Sequence, residues 1–209
     1  DYETMISLKK ATYDVAIQSK DSGGKTFVKT LKIAITDANE KPTVLNVISD
    51  QTIAEDSALT FQFNSNVFSD ADEGDSLTYT ATLSDGNVLP SWLSFDAAAR
   101  IFSGTPVNTD VGIITVKVTA ADTGGLSASD VFNIKISNTN DAPTLSNAIA
   151  DQVISQDSNL SFRFDTNVFS DIDMDDTIAY TAALSDNTAL PAWLSFDAST
   201  RTFTGTPSS

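Results

Sequence analysis

The chain has 209 residues, 41% of them hydrophobic, with 12 Phe, and no run of 18 apolar residues. It can therefore bury cores of its own, and no segment reads as a membrane-crossing helix. It has no Cys, no His and a net charge of −16, which excludes disulfide staples and thiolate or imidazole chemistry, and disfavours nucleic-acid phosphate as a partner.

The charge is uneven. Residues 1–41 carry seven Lys and six acids, whereas residues 42–209 carry five basic residues and 22 acids. The chain opens "DYETMISLKK" with its first Met at position 5 and reads as an internal segment without a signal peptide. From Tyr13, "YDVAIQSKDSGGKTFVKTLKIAIT" reads as two strands around Gly23–Gly24, a hairpin turn. "NEKPT" then ends the segment at Pro42.

The next unit reads as all-β. Short strands are expected near Val44–Ile48, Leu93–Asp96 and Ile101–Ser103. "LTFQF" alternates Leu59, Phe61 and Phe63 inward, and "LTYTATL" puts Leu77, Tyr79, Ala81 and Leu83 on one face. "ITVKVTA" presents Ile114, Val116, Val118 and Ala120, and "VFNIKIS" presents Phe132, Ile134 and Ile136. Seven short strands with no helical period predict a two-sheet sandwich of immunoglobulin-like size. Phe61, Phe63, Phe68, Phe95, Phe102 and Phe132 are the expected core. Trp92 and Trp193, between "LP" and "LSFD", are expected to fill it rather than stack on a sugar.

A second copy follows at a constant offset of 101: "DQTIAEDSALTFQFNSNVFSDAD" from Asp50 against "DQVISQDSNLSFRFDTNVFSDID" from Asp151. The offset runs backwards as well, matching Tyr13 onward to Ile114 onward. The chain thus divides into the back part of one repeat (1–42), a complete repeat (43–141) and the front part of a third (142–209). Each head carries four acids in six residues: Asp70, Asp72, Glu73 and Asp75, then Asp171, Asp173, Asp175 and Asp176. Carboxylates about 4 Å apart repel by roughly 4 kcal/mol at an effective dielectric of 20, so such crowding calls for a cation or a wet, flexible tip. An EF-hand is excluded, because position 12 counted from Asp70 or Asp171 is Ala81 or Ala182 and not Glu.

"WLSFD…FSGTP" with "GIITVKVTAADTGGLSASDVFNIKISNTNDAPT" resembles the dystroglycan-type cadherin-like domain, and "DYE" with "YDVAIQSKDSGG" resembles the back half of a cadherin repeat. The resemblance implies tandem immunoglobulin-like or cadherin-like β-sandwiches, as in large secreted bacterial adhesins, with calcium at the joints. Carried over, the first joint uses Asp1 and Glu3, Asp37, Asn39 and Glu40, and Asp70 and Asp72; the second uses Asn138, Asn140 and Asp141 with Asp171 and Asp173. Lys41 stands where the linker pattern prefers Asn, Asn138 replaces Asp, and Gly104 falls where the offset would place Glu3. Asp110, Asp122 or Glu55 are the candidates to compensate at the second joint.

The implied function is a non-enzymatic, calcium-binding spacer or adhesion array at a cell surface or outside the cell. Its expected partners are calcium ions, with polysaccharide or another surface protein as further candidates, and no nucleic acid and no insertion of this segment into a membrane. The alternative is a carbohydrate-binding module of a secreted polysaccharide-degrading or surface protein. Catalysis by carboxylate pairs is disfavoured, because the acids sit in repeated turns and not across a cleft.

Overall fold

The computed structural model describes residues 11–36, 38–72, 74–174 and 176–208. The chain divides into two compact units, residues 1–137 and 138–209, and their described residues are all-β apart from one 3-10 turn, Asn108–Asp110.

The first unit starts with a hairpin, β1 (Thr12–Lys20) and β2 (Thr26–Ala34), paired antiparallel from Thr12↔Ala34 to Lys20↔Thr26. Asp21 builds the turn: its Oδ1 accepts from the amides of Gly23 (3.0 Å) and Lys25 (2.8 Å), and Gly24 takes the positive φ of 87° that closes it. Every residue of both strands is exposed.

The complete repeat follows with nine strands: β3 (Thr43–Val44), β4 (Gln51–Ala54), β5 (Leu59–Gln62), β6 (Phe68–Ser69), β7 (Thr78–Leu83), β8 (Leu93–Asp96), β9 (Ile101–Gly104), β10 (Gly112–Ala121) and β11 (Ser127–Ser137). One sheet has the order β4-β11-β10-β7 and the other β5-β9-β8, while β3 pairs with β6. The strands follow the alternation in the sequence, because period-2 patterning turns one side of each sheet onto its neighbour. Leu59, Phe63, Phe68, Leu93, Phe102, Val116, Val118, Phe132, Ile134 and Ile136 form one buried cluster, against which Phe61, Phe95 and Trp92 pack. Phe102 is fully buried, with ring centroids 4.5 Å from Phe95 and 5.5 Å from Phe132.

Two strands exceed the seven expected: β4, which joins β11 in parallel, and the two-residue β6. The strand expected over Val44–Ile48 stops at Val44, because the amides of Leu45 and Asn46 both turn onto the carbonyl of Val67, at 2.8 and 3.2 Å.

In the second unit the small sheet recurs as β13 (Leu160–Arg163), β15 (Leu194–Asp197) and β16 (Thr202–Gly205), in the order β13-β16-β15, with β12 (Thr144–Leu145) on β14 (Phe169–Ser170). Residues 179–184, the counterparts of β7, form no strand. In the complete repeat β7 pairs only with β10, and the described residues of this unit hold no counterpart of β10.

Candidate metal centre

Three loops converge at the head of the complete repeat: the linker around Asn39–Glu40, the acid turn Asp70–Asp75 and the β10–β11 turn, residues 122–126. The acid turn begins where β6 ends. Asp70 Oδ1 accepts from the amide of Asp72 at 3.1 Å, an Asx turn that reverses the chain locally. The amide of Asp75 then donates to the carbonyl of Asp72 at 3.2 Å, across Gly74 at φ 100°.

Each carboxylate is tied down by one oxygen. Asp72 Oδ2 accepts from the amide of Glu40 at 3.0 Å, and Asp75 Oδ1 accepts from the hydroxyl of Thr123 at 2.7 Å. The other oxygen of each, namely Asp70 Oδ2, Asp72 Oδ1 and Asp75 Oδ2, is buried and has no hydrogen-bond donor among the described residues. A buried acceptor without a donor costs about 1–3 kcal/mol, and more when charged, so three in one turn demand an explanation. The donor set is hard oxygen held by backbone and hydroxyl contacts, which suits a calcium ion taking six to eight oxygens.

The hairpin turn secures the linker. Asp122, 6% exposed, accepts from the amide of Leu126 at 2.8 Å through Oδ1 and from the Asn39 side-chain amide at 3.1 Å through Oδ2. Gly124 leaves room for that side chain, since a Cβ there would lie 2.3 Å from Asn39 Oδ1. Asp122, one of the three candidates for the second joint, is thus set against the first linker.

The second unit repeats the arrangement. Asp171 Oδ1 accepts from the amide of Asp173 at 3.0 Å, Asp173 Oδ2 from the amide of Asp141 at 2.7 Å, and the amide of Asp176 donates to the carbonyl of Asp173 at 3.2 Å. One carboxylate oxygen from each of Asp171, Asp173 and Asp176 lies within 4.8 Å of the others. Two oxygens bound to one calcium at about 2.3–2.6 Å can stand up to about 5 Å apart, so this spread fits one ion. Asp173 is 4% exposed. The side-chain amide of Asn140 donates to the carbonyl of Asp141 at 2.9 Å, and Asn138 lies exposed just before it.

Of the residues expected at these joints, the structure gathers Asn39, the Glu40 amide, Asp70 and Asp72 in one place and Asp141, Asp171 and Asp173 in another. Asp1, Glu3 and Asp37 lie outside the described residues. Asp75, Asp176 and, at the first joint, Asp122 are additions, and the repeated four-in-six acid run already contained the first two. Glu55 is buried where its amide meets the carbonyl of Ser137 at 3.0 Å, at the foot of the complete repeat. Asp110 instead caps the 3-10 turn by accepting from the amide of Val107 at 2.9 Å.

Trp92 packs on the core, and its carbonyl lies where a Cβ on Gly104 would sit, 1.8 Å away. This explains the Gly of "FSGTP". Trp193 meets Gly205 in the same way, at 1.9 Å, and is 36% exposed.

A family model described as "Putative Ig domain" matches residues 41–137 and again 142–209. No curated protein matches the chain. Among solved structures, the chain is 20% identical to protocadherin gamma B7 extracellular cadherin domains, with a TM-score of 0.48, covering 100% of this chain and 50% of that one. It is 16% identical to the human desmocollin-1 ectodomain, with a TM-score of 0.42, covering 100% and 41%. It is 19% identical to an endo-fucoidan hydrolase of glycoside hydrolase family 107, with a TM-score of 0.40, covering 96% and 30%. The chain spans at most half the length of each of these three.

Proposed function

The chain belongs to the Putative Ig domain family, and from that premise we propose that it is a stretch of non-catalytic spacer repeats in an extracellular or cell-surface adhesion array, stiffened by calcium at the head of each repeat. The repeats run 1–42, 43–141 and 142–209. The single observation that carries the reading is the split use of the three carboxylates: Asp70, Asp72 and Asp75 each have a buried oxygen without a donor, two of them anchored through their other oxygen by Glu40 and Thr123.

At the first head, Asp70, Asp72 and Asp75 would hold the ion, and Asp122 would act through Asn39 by fixing the linker beside it. At the second, Asp171, Asp173 and Asp176 would do the same, with Asp141 anchoring Asp173. Asp1, Glu3 and Asp37 at the first, and Asn138 and Asn140 at the second, complete the proposed ligand sets. A bound divalent ion supplies positive charge that offsets the repulsion within each turn. Because linker and turn share one cluster, binding also restricts the linker, and a chain of such joints becomes a rod. The apolar surroundings of Trp92 remove the residue a sugar-binding reading most needs.

Thermal melting with calcium and with chelator tests this. An ion at a hundredfold excess over its dissociation constant stabilises by about 2.7 kcal/mol. A calcium-dependent rise in the midpoint, together with a longer and stiffer scattering profile, is the expected result. A midpoint and profile indifferent to calcium would overturn it.

A further inference from the structure

We propose that the complete repeat carries a docking site for an extended acidic peptide: the free edge of β7 takes the peptide up as an added strand, and Arg100 binds one of its carboxylates. This goes beyond the spacer reading and does not rest on a metal at the head of the repeat.

The site starts from an unused cation. Residues 43–141 hold three basic side chains, Arg100, Lys117 and Lys135, against 13 acids. A guanidinium among so many carboxylates has every opportunity to pair. Yet the Arg100 side chain makes no hydrogen bond and no ion pair among the described residues, and its Nε is buried. A buried donor without an acceptor is costly, more so when charged, and calls for an explanation. The counterpart Arg201 gives its Nε to the carbonyl of Phe164, at 3.4 Å. Both arginines stand at positive φ, 58° and 57°, where glycine is the cheapest residue, so the side chain is kept against a backbone cost.

Arg100 lines an open pocket of about 350 Å³ with Leu77, Thr78, Tyr79, Ala97 and Ala98. One wall is the start of β7 and the other is the turn between β8 and β9. No carboxylate lines it.

The pocket adjoins a free sheet edge. β7 is the last strand in the order β4-β11-β10-β7. Ser84 continues its register with β10 and donates to the carbonyl of Thr115 at 2.9 Å. Counting back in twos, Thr82, Thr80 and Thr78 turn their N–H and C=O groups to β10, whereas Ala81 and Tyr79 turn theirs outward. A peptide laid along this edge therefore meets two pairs of main-chain groups at the spacing of alternate residues, the pattern of strand addition. Its residue opposite Tyr79 points its side chain to the same face as Tyr79. That is the inward face, where the pocket and Arg100 lie. The planar guanidinium matches a carboxylate through two parallel bonds. The main-chain ladder selects an extended peptide as the carrier of that carboxylate. Asp75 and Asp85 stand just before and just after β7 and repel further acids, so the preferred segment has a single Asp or Glu in an otherwise uncharged or basic stretch.

The test exposes the full chain, in chelator so that metal plays no part, to a display library of random heptapeptides. Recovered peptides should carry one Asp or Glu at a fixed position among β-branched and aromatic residues. In a synthetic copy of the most frequent one, changing the acid to its amide should weaken binding about tenfold or more, a comparison that leaves the protein untouched. Arg100→Gln should abolish the preference for the acid, and Arg100→Lys, which keeps the charge without the fork, should restore only part of it. Binding should also slow amide hydrogen exchange at Tyr79 and Ala81. Peptides recovered without an acid preference, no recovered peptide, a preference that survives Arg100→Gln, or unprotected Tyr79 and Ala81 amides overturns the proposal.

Discussion

Replacing Asp72 by Asn separates the metal reading from a merely acidic surface, because the change should have opposite signs with and without calcium. Asp72 Oδ2 takes the Glu40 amide at 3.0 Å, a role an amide oxygen can fill. Its buried Oδ1 has no donor and becomes an NH2. Without an ion, the substitution removes one charge from a crowded turn. At the 4.8 Å spread found for the matching carboxylates, each like-charge pair costs about 3 kcal/mol at an effective dielectric of 20. Asp72 is only half-buried, so solvent screening leaves a gain of about 1 kcal/mol. With calcium, the wild type gains about 2.7 kcal/mol at a hundredfold excess over its dissociation constant. If losing one carboxylate weakens binding about a hundredfold, the variant at the same calcium gains only about 0.4 kcal/mol. The variant should therefore melt above wild type in chelator by several degrees and below it in calcium, since about 1 kcal/mol moves the midpoint of a domain this size by roughly 4–8 °C. Denaturation in the two buffers, with calorimetric titration of calcium, reads both signs. Equal destabilisation in both would refute the argument, because Asp72 would then be a structural acceptor only.

Three further outcomes are expected. Gly104→Ala should destabilise the complete repeat by more than about 3 kcal/mol, because the new Cβ meets the Trp92 carbonyl at 1.8 Å. Gly86→Ala, at φ 92° with nothing within 4 Å, should cost only about 1–2 kcal/mol of backbone strain in the same urea titration. Phe102→Ala should cost about 3–5 kcal/mol, whereas Phe203→Ala, at the half-buried counterpart, should cost clearly less in the single chain. Asp197 should titrate below the ordinary carboxylate value of 3.8, chiefly because the Ser199 hydroxyl bonds its charged form, with Thr200 adding to this. A depressed folded pKa means that its contribution is present above the unfolded value and fades as pH falls through the folded one. Carboxyl-carbon NMR should show the midpoint moving up in Ser199→Ala.

The strands that the sequence announced are those whose pattern is both local and long enough to repeat. β5, β7, β10 and β11 alternate over four or more residues, and the buried face of each is the apolar one. β4 escaped because "QTIA" is short, and its strand character comes from a parallel pairing with residues 134–137, far away in the chain. The acid turns were visible as composition, but the pattern carried over from the resemblance stopped at Asp72 and Asp173. What brings Asp75 in is a hydroxyl 48 residues away, and what ties Asp122 to Asn39 spans 83. Contacts of that range leave no local mark, and only the repetition at 101, which copies Asp75 onto Asp176, signals that the last acid of each run matters.

The same distinction explains why nearly equal sequences have different structures here. "TYTATL" at 78–83 is a strand and "AYTAAL" at 179–184 is not, although both alternate in the same way and both carry the Tyr that meets the conserved-in-repeat Phe pair, at 5.6 and 6.0 Å in one copy and 5.4 and 6.1 Å in the other. Side-chain packing is therefore in place at 179–184 without the backbone ladder. The missing element is hydrogen-bonding partners, which β10 supplies to 78–83 through six paired residues. Alternation specifies which face turns inward, whereas the strand itself requires a neighbour.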